Sequence, residues 1–223
     1  MSLDPIGIQA LLFDLDGTLI DSSADLAASG NALRATAGLP SLELATVAGF
    51  VGDGIESLVR RLLSLPEGDV EEKVEWFRRH YHQHCLDKTR LYAGVDATLR
   101  VLAARGLKMA VVTNKPERIS IRILDGLGIG PLFGAVIGGN SCGHKKPHPE
   151  PLFEACRRLN AAPAVAAMVG DSRVDIEAAR NAGMPGIALS GGIGDNALML
   201  AAGPSHVLQS FDELATLFGA THA

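Results

Sequence analysis

Five short apolar runs, Ala10–Phe13, Met109–Val112, Ala135–Ile137, Ala166–Val169 and Ile187–Leu189, constrain the fold of this 223-residue chain more than any other feature. They are apolar at consecutive positions, and each gives way to a polar residue or a glycine. A strand that is apolar on both faces must be covered on both, so these runs predict the strands of a parallel sheet. Between most of them lie helical patterns, at Val95–Arg105, Glu117–Leu127, Pro151–Leu159 and Ile176–Ala182. The alternation predicts an α/β fold with a doubly wound parallel sheet. Ligands bind such sheets beyond the carboxyl ends of the strands, so the polar residues at those ends are the ones to read.

One interval breaks the alternation. The stretch Asp21–Arg90 is too long for a single crossover and reads as nearly all helix, with patterns at Ala24–Thr36, Ile55–Leu63 and Val70–Cys85. It is expected to form an inserted α-helical cap above the active edge of the sheet. The expected division is residues 1–20 and 91–223 for a discontinuous core and 21–90 for the cap.

Composition narrows the functions available. With 47% hydrophobic and 20% charged residues the chain is an ordinary globular one. A net charge of -5 without basic runs argues against a nucleic-acid partner. Three cysteines have neither the number nor the spacing of a disulfide framework or a zinc site. The start MSLDPIGIQA lacks the charged and apolar regions of a secretory signal, and no apolar run reaches membrane-spanning length. The expectation is a cytoplasmic protein with no membrane partner.

Four groups follow the strand ends. In Phe13-Asp14-Leu15-Asp16-Gly17-Thr18, two carboxylates at i and i+2 can face one cleft, and Gly17 lets the backbone turn closely beneath an anion. A plain turn or capping aspartate would read the same way. In Val112-Thr113-Asn114-Lys115, a hydroxyl and a backbone N–H opening a helix suit a phosphate oxygen, although a simple N-cap uses the same residues. In Lys145-Lys146-Pro147-His148-Pro149, Lys146 offers a point charge or is a solvated loop lysine. In Val169-Gly170-Asp171-Ser172-Arg173-Val174-Asp175, two acids open a helix, a placement that the helix dipole also favours. An acid pair, a hydroxyl, a lysine and an acid pair at four strand ends are hard to obtain by chance.

Those residues, in that order, resemble the haloacid dehalogenase superfamily, chiefly its aspartate-nucleophile phosphatases. The strings DLDGTLIDS, TNK, KPHP and GDSRVDIEAARNAG carry the likeness. The phosphoglycolate phosphatase-like branch, with its helical cap after strand one, is the most similar. The resemblance implies a Rossmann-like core and a small-molecule phosphomonoester as substrate. It implies Asp14 as nucleophile, Asp16 as general acid and base, and Thr113, Asn114 and Lys146 holding the phosphoryl oxygens. It further implies Mg²⁺ held by the Asp14 carboxylate, the Asp16 backbone carbonyl and Asp171, with Asp175 in an outer shell or acting through water. The physics agrees: two carboxylates 4 Å apart repel by about 4 kcal/mol at an effective dielectric near 20, so a cluster needs a cation, and all-oxygen ligands favour Mg²⁺. The stretch Phe50–Arg60 is similar to the cap loop of phosphoglycolate phosphatases, where Gly52 and Gly54 would admit a small leaving group. Asp53 would then place negative charge where an anionic substrate must fit.

Rival readings have their own marks. Dehalogenases lack the second acid, and Asp16 is present. Phosphonoacetaldehyde hydrolases need a cap-loop lysine, and Gly49–Gly54 has none. Hexose-phosphate mutases share every core motif. A phospho-aspartate signalling module would need neither Asp16 nor a cap, and a dead scaffold would lack part of the constellation. His80–Cys85 reads as a solvated helix face rather than a metal site, and Gly191–Gly194 as a strand-to-helix loop rather than a dinucleotide fingerprint. Cys142 and His144 read as loop residues, and Trp76 and Phe77 as packing for a cap helix.

Overall fold

The computed structural model describes residues 4–66 and 68–218, so the first three residues of the chain's start lie outside it. The strands are β1 (Ala10–Phe13), β2 (Ile20–Asp21), β3 (Arg90–Leu91), β4 (Lys108–Val112), β5 (Ala135–Ile137), β6 (Ala166–Gly170), β7 (Gly186–Leu189) and β8 (His206–Leu208). The α-helices are α1 (Ser23–Thr36), α2 (Leu44–Ala48), α3 (Ile55–Leu63), α4 (Glu71–His84), α5 (Val95–Ala104), α6 (Glu117–Gly126), α7 (Glu150–Leu159), α8 (Arg173–Asn181), α9 (Asn196–Ala201) and α10 (Glu213–Leu217).

Six strands form a wholly parallel sheet in the order β5-β4-β1-β6-β7-β8. The period-2 alternation of side chains sorts its apolar residues into two cores. Leu11, Phe13, Met109, Val111, Ala167 and Val169 share a core with α5, α6 and α10. Ala10, Leu12, Ala110, Val112 and Met168 face α7 and α8 on the other side. That double burial is why these strands read as continuous apolar runs. The chain leaves β1 toward β4 and β5, then crosses back to β6, which makes β1 the topological switch point.

The helices α1 to α4 lie between β2 and β3, which pair antiparallel through Ile20–Leu91 and Asp21–Arg90 and bring the insertion's two ends together. Buried Asp25 fixes that neck by accepting from Lys88 N, Thr89 N and Thr89 Oγ1 at 2.8–3.0 Å. Gly30 lets α1 and α3 approach closely, since a Cβ there would lie 2.8 Å from Leu62 Cδ2. The short elements β8, α2, α9 and α10 were not expected from the sequence pattern. Among the described residues no helix is long and apolar enough to cross a membrane.

Candidate active site

Asp14 follows β1, Thr113 follows β4 and Asp171 follows β6, so the switch point gathers the expected residues around one cavity of about 70 Å³. Asp14, Asp16, Thr113, Asn114, Lys146, Asp171 and Asp175 all line it. Lys146 is buried between two carboxylates, with Nζ 2.9 Å from Asp14 Oδ1 and 2.6 Å from Asp175 Oδ1. Burial alone would lower its pKa, but the two carboxylates raise it instead.

The carboxylates are held by neighbours that leave them little room. Asp171 accepts from Thr18 Oγ1 at 3.0 Å and from the Gly194 N–H at 2.9 Å. Three glycines crowd the acids: a Cβ on Gly17 would lie 2.0 Å from Asp171 Oδ2, one on Gly192 2.3 Å from the same atom, and one on Gly170 2.3 Å from Asp175 Cγ. Gly17 also needs its positive φ of 89°. It seats Asp171 rather than lining the cavity, which departs from the substrate contact expected of it. Asp175 gives one oxygen to Lys146 and the other to Ser172, whose hydroxyl and N–H both donate to it in a capping box that starts α8.

Burial, then repulsion by Asp175 and Asp171, pushes the Asp14 pKa up to about 7 against the opposing pull of Lys146. Burial, then Asp175, pushes Asp171 up to about 6. The acid oxygens of Asp14, Asp171 and Asp175 lie within 4.8 Å of one another. Asp14 Oδ1 is buried and has no partner in hydrogen-bond geometry. Three crowded, buried, all-oxygen acids that share a single lysine fit a hard divalent cation.

Asp16 is engaged differently. Its carboxylate accepts from Lys115 Nζ at 2.7 and 2.9 Å and from Ser22 Oγ at 2.5 Å. The Lys115 ammonium also lies 4.8 Å from the ring centroid of Tyr81 on α4. Burial lowers the Lys115 pKa, and Asp16 more than offsets this, so the net direction is up. Sequence reasoning missed this pairing. The signal was the lysine of the quoted TNK string, whose side chain is long enough to cross the cavity.

The Asn114 side chain is a latch. Its Nδ2 donates to Gly52 O at 2.9 Å and to Lys146 O at 3.0 Å, while its Oδ1 accepts from Lys146 N at 3.0 Å. It thus ties the loop before α3 to the loop that carries the lysine. Gly52 and Gly54 line the cavity, but Asp53 between them does not. Asp53 turns outward to Arg61 at 2.5 Å, with 44% of its side chain exposed, so the expected negative charge at the leaving-group position is absent. The Gly191–Gly194 loop joins β7 to α9 and closes on Asp171, a role the sequence did not suggest. His80 contacts Ser29 Oγ at 3.1 Å and His84 contacts Asp87 at 2.8 Å, each a protein partner on the helix flank. Phe77 and Tyr81 are buried against the cavity, with Trp76 partly buried behind them.

Comparison with known proteins agrees with this geometry. Residues 11–189 match the haloacid dehalogenase-like hydrolase family. A phosphoglycolate phosphatase of Chromobacterium violaceum is 40% identical over 194 residues, covering 84% of this chain and 87% of that protein. One from Psychrobacter arcticus is 39% identical over 215 residues, covering 92% and 94%. Among solved structures, a predicted phosphoglycolate phosphatase from Haemophilus somnus superposes with a TM-score of 0.86 at 32% identity, covering 95% of this chain and 98% of that one. The chain belongs to the haloacid dehalogenase-like hydrolases.

Proposed function

We propose that this phosphoric monoester hydrolase cleaves 2-phosphoglycolate to glycolate and phosphate through a phosphoryl group carried on Asp14. One observation carries the chemistry: a buried Asp14 carboxylate, paired with Lys146 at 2.9 Å and crowded by Asp171 and Asp175, faces a cavity that a further acid, Asp16, also lines. Asp14 attacks phosphorus in line, and the bond to the leaving oxygen breaks as Asp16 donates it a proton. Water then attacks phosphorus, Asp16 takes its proton, and the Asp14–phosphorus bond breaks to release phosphate. Lys115 stabilises the carboxylate that the second half requires. Thr113, the Asn114 N–H and Lys146 hold the phosphoryl oxygens as charge moves among them. Mg²⁺ would be held by the Asp14 carboxylate, the Asp16 carbonyl and Asp171, with Asp175 acting through water because both its oxygens are already engaged. Bound there, it would neutralise the acid cluster and the phosphoryl charge.

Residues 21–90 act in this reading as a cap over a core of residues 1–20 and 91–223, excluding water from the cavity. The names of the relatives at about 40% identity support 2-phosphoglycolate as the substrate. The test measures kcat/KM for phosphate release from 2-phosphoglycolate, glucose phosphates, nucleoside monophosphates and phosphonoacetaldehyde, with and without Mg²⁺. 2-Phosphoglycolate is expected to lead. Isomerisation of a hexose phosphate without phosphate release would replace this reading with a mutase.

A further inference from the structure

We propose that Lys145 is the specificity residue that holds the carboxylate of the leaving group, an inference that rests on the phosphoglycolate reading. The two neighbouring lysines of one loop have opposite fates. Lys146 is buried and bound to Asp14 and Asp175. Lys145 is exposed and forms no ion pair among the described residues. Its ammonium stands at the mouth of the cavity. A Cβ on Gly54 would lie 3.0 Å from Lys145 Nζ, and Gly54, with φ 92°, lines the cavity wall.

Space directs the leaving group toward that mouth. The cavity is not an enclosed one. A groove of about 890 Å³ adjoins it, and Ile55, Asn114, Pro116 and Ile119 line both. Lys145 lines the groove. Among the described residues, the cations of the cavity itself are already engaged, Lys115 by Asp16 and Lys146 by Asp14 and Asp175. Its wall from the inserted helices is apolar at Val51, Ile55, Leu58 and Phe77. Arg79 and Arg118 also line the groove, but it is the Lys145 ammonium that lies against Gly54 of the cavity wall, where it can meet a carboxylate one carbon away from the bridging oxygen. Gly54 makes room for that ammonium as well as turning the chain into α3.

The experiment compares 2-phosphoglycolate with ethyl phosphate, which lacks the carboxylate, in wild type, Lys145→Gln and Lys145→Arg. The ratio of kcat/KM for the two substrates is expected to fall about tenfold in Lys145→Gln, a change of about 1.4 kcal/mol. The loss should reside in KM for 2-phosphoglycolate, as removal of uniform binding requires. Lys145→Arg should keep the ratio within about threefold, and raising the salt concentration should shrink the wild-type preference toward that of the Gln variant. A wild-type preference that survives intact in Lys145→Gln overturns the inference alone. A loss that falls equally on both substrates also overturns it. Wild-type enzyme that cleaves ethyl phosphate as well as 2-phosphoglycolate overturns the substrate reading and this inference together.

Discussion

The two walls of the cavity are built on different principles. The wall from the sheet carries six ionisable groups: Asp16 is paired with Lys115, Asp14 and Asp175 share Lys146, and Asp171 is held by the Thr18 hydroxyl and the Gly194 N–H. The wall from the inserted helices offers Leu26, Val51, Ile55, Leu58 and Phe77, with glycines at positions 52 and 54. Charge sits on residues just beyond the strand ends, in the Lys146 loop and at the start of α8. Apolar surface sits on the helices that can exclude water. The difference teaches that chemistry and selection are separable here, and substitutions in the two walls should fail in different ways.

The largest effect should come from the charged wall. Asp14→Asn is expected to abolish turnover, because an amide cannot accept the phosphoryl group. It should also leave the melting temperature unchanged or higher, since it removes a repelled buried charge. Asp16→Asn should cost about 10²–10⁴ in kcat. Phosphate release and thermal melts on the purified variants decide both. Near-wild-type activity in Asp14→Asn would end the proposed mechanism.

Next comes the Lys115–Asp16 pair of the charged wall, whose ammonium also lies over Tyr81 of the inserted helices. Lys115→Met strands the Asp16 carboxylate in a site where its side chain is 9% exposed, which should destabilise the fold by about 3 kcal/mol. Adding Asp16→Asn to Lys115→Met should recover most of that stability while activity stays low. Denaturant titration of the four proteins gives the coupling, and independent, additive losses would show that the pair is not a unit.

The acid cluster also sets a pH dependence. Asp14 and Asp171 sit at about 7 and about 6, above the usual carboxylate range, so between pH 4 and 7 the folded chain holds more protons than the unfolded one. Stability contributed by these protonated acids is therefore present at low pH and lost as pH rises through the two raised values. Metal-free protein should melt at a lower temperature at pH 8 than at pH 5.5, and Mg²⁺ should reverse the trend at pH 8. Melting curves independent of pH and of Mg²⁺ would mean the acids are not the cation site.

The same contrast explains what could be read in advance. The bounds of Ala10–Phe13, Ala135–Ile137 and Ile55–Leu63 follow from apolar pattern alone, because double burial or an amphipathic face wrote them into the sequence. So did the strand-end positions of Asp14, Thr113 and Asp171. The Lys115–Asp16 pair and the contact of Gly194 with Asp171 are tertiary, joining residues 99 and 23 positions apart, and no local pattern encodes them. β8 was missed because His206 interrupts its apolar run and two of its three residues are only partly buried, and α9 because six residues are too few to show a period. Asp53 misled for a simpler reason. Gly52 and Gly54, with φ 121° and 92°, let the chain turn so that the residue between them faces the opposite way.

Asp53 also supplies the smallest predicted effect, and it tests which way the loop between the two walls faces. Its ion pair with Arg61 is at the surface, with 44% and 41% of the side chains exposed, so water screens it and the pair contributes well under 1 kcal/mol. If Asp53 points outward, Asp53→Asn should change stability by less than about 0.5 kcal/mol and kcat/KM for 2-phosphoglycolate by less than about twofold. If it points inward, removing a negative charge within reach of an anionic substrate should raise kcat/KM several-fold, and the gain should shrink as salt is added. Asn114→Ala is the companion variant. It unfastens Gly52 from the Lys146 loop without touching Asp53, and its loss should appear in activity rather than in the Asp53–Arg61 contact. A several-fold, salt-sensitive gain in Asp53→Asn would move this residue into the cavity and return negative charge to the apolar wall.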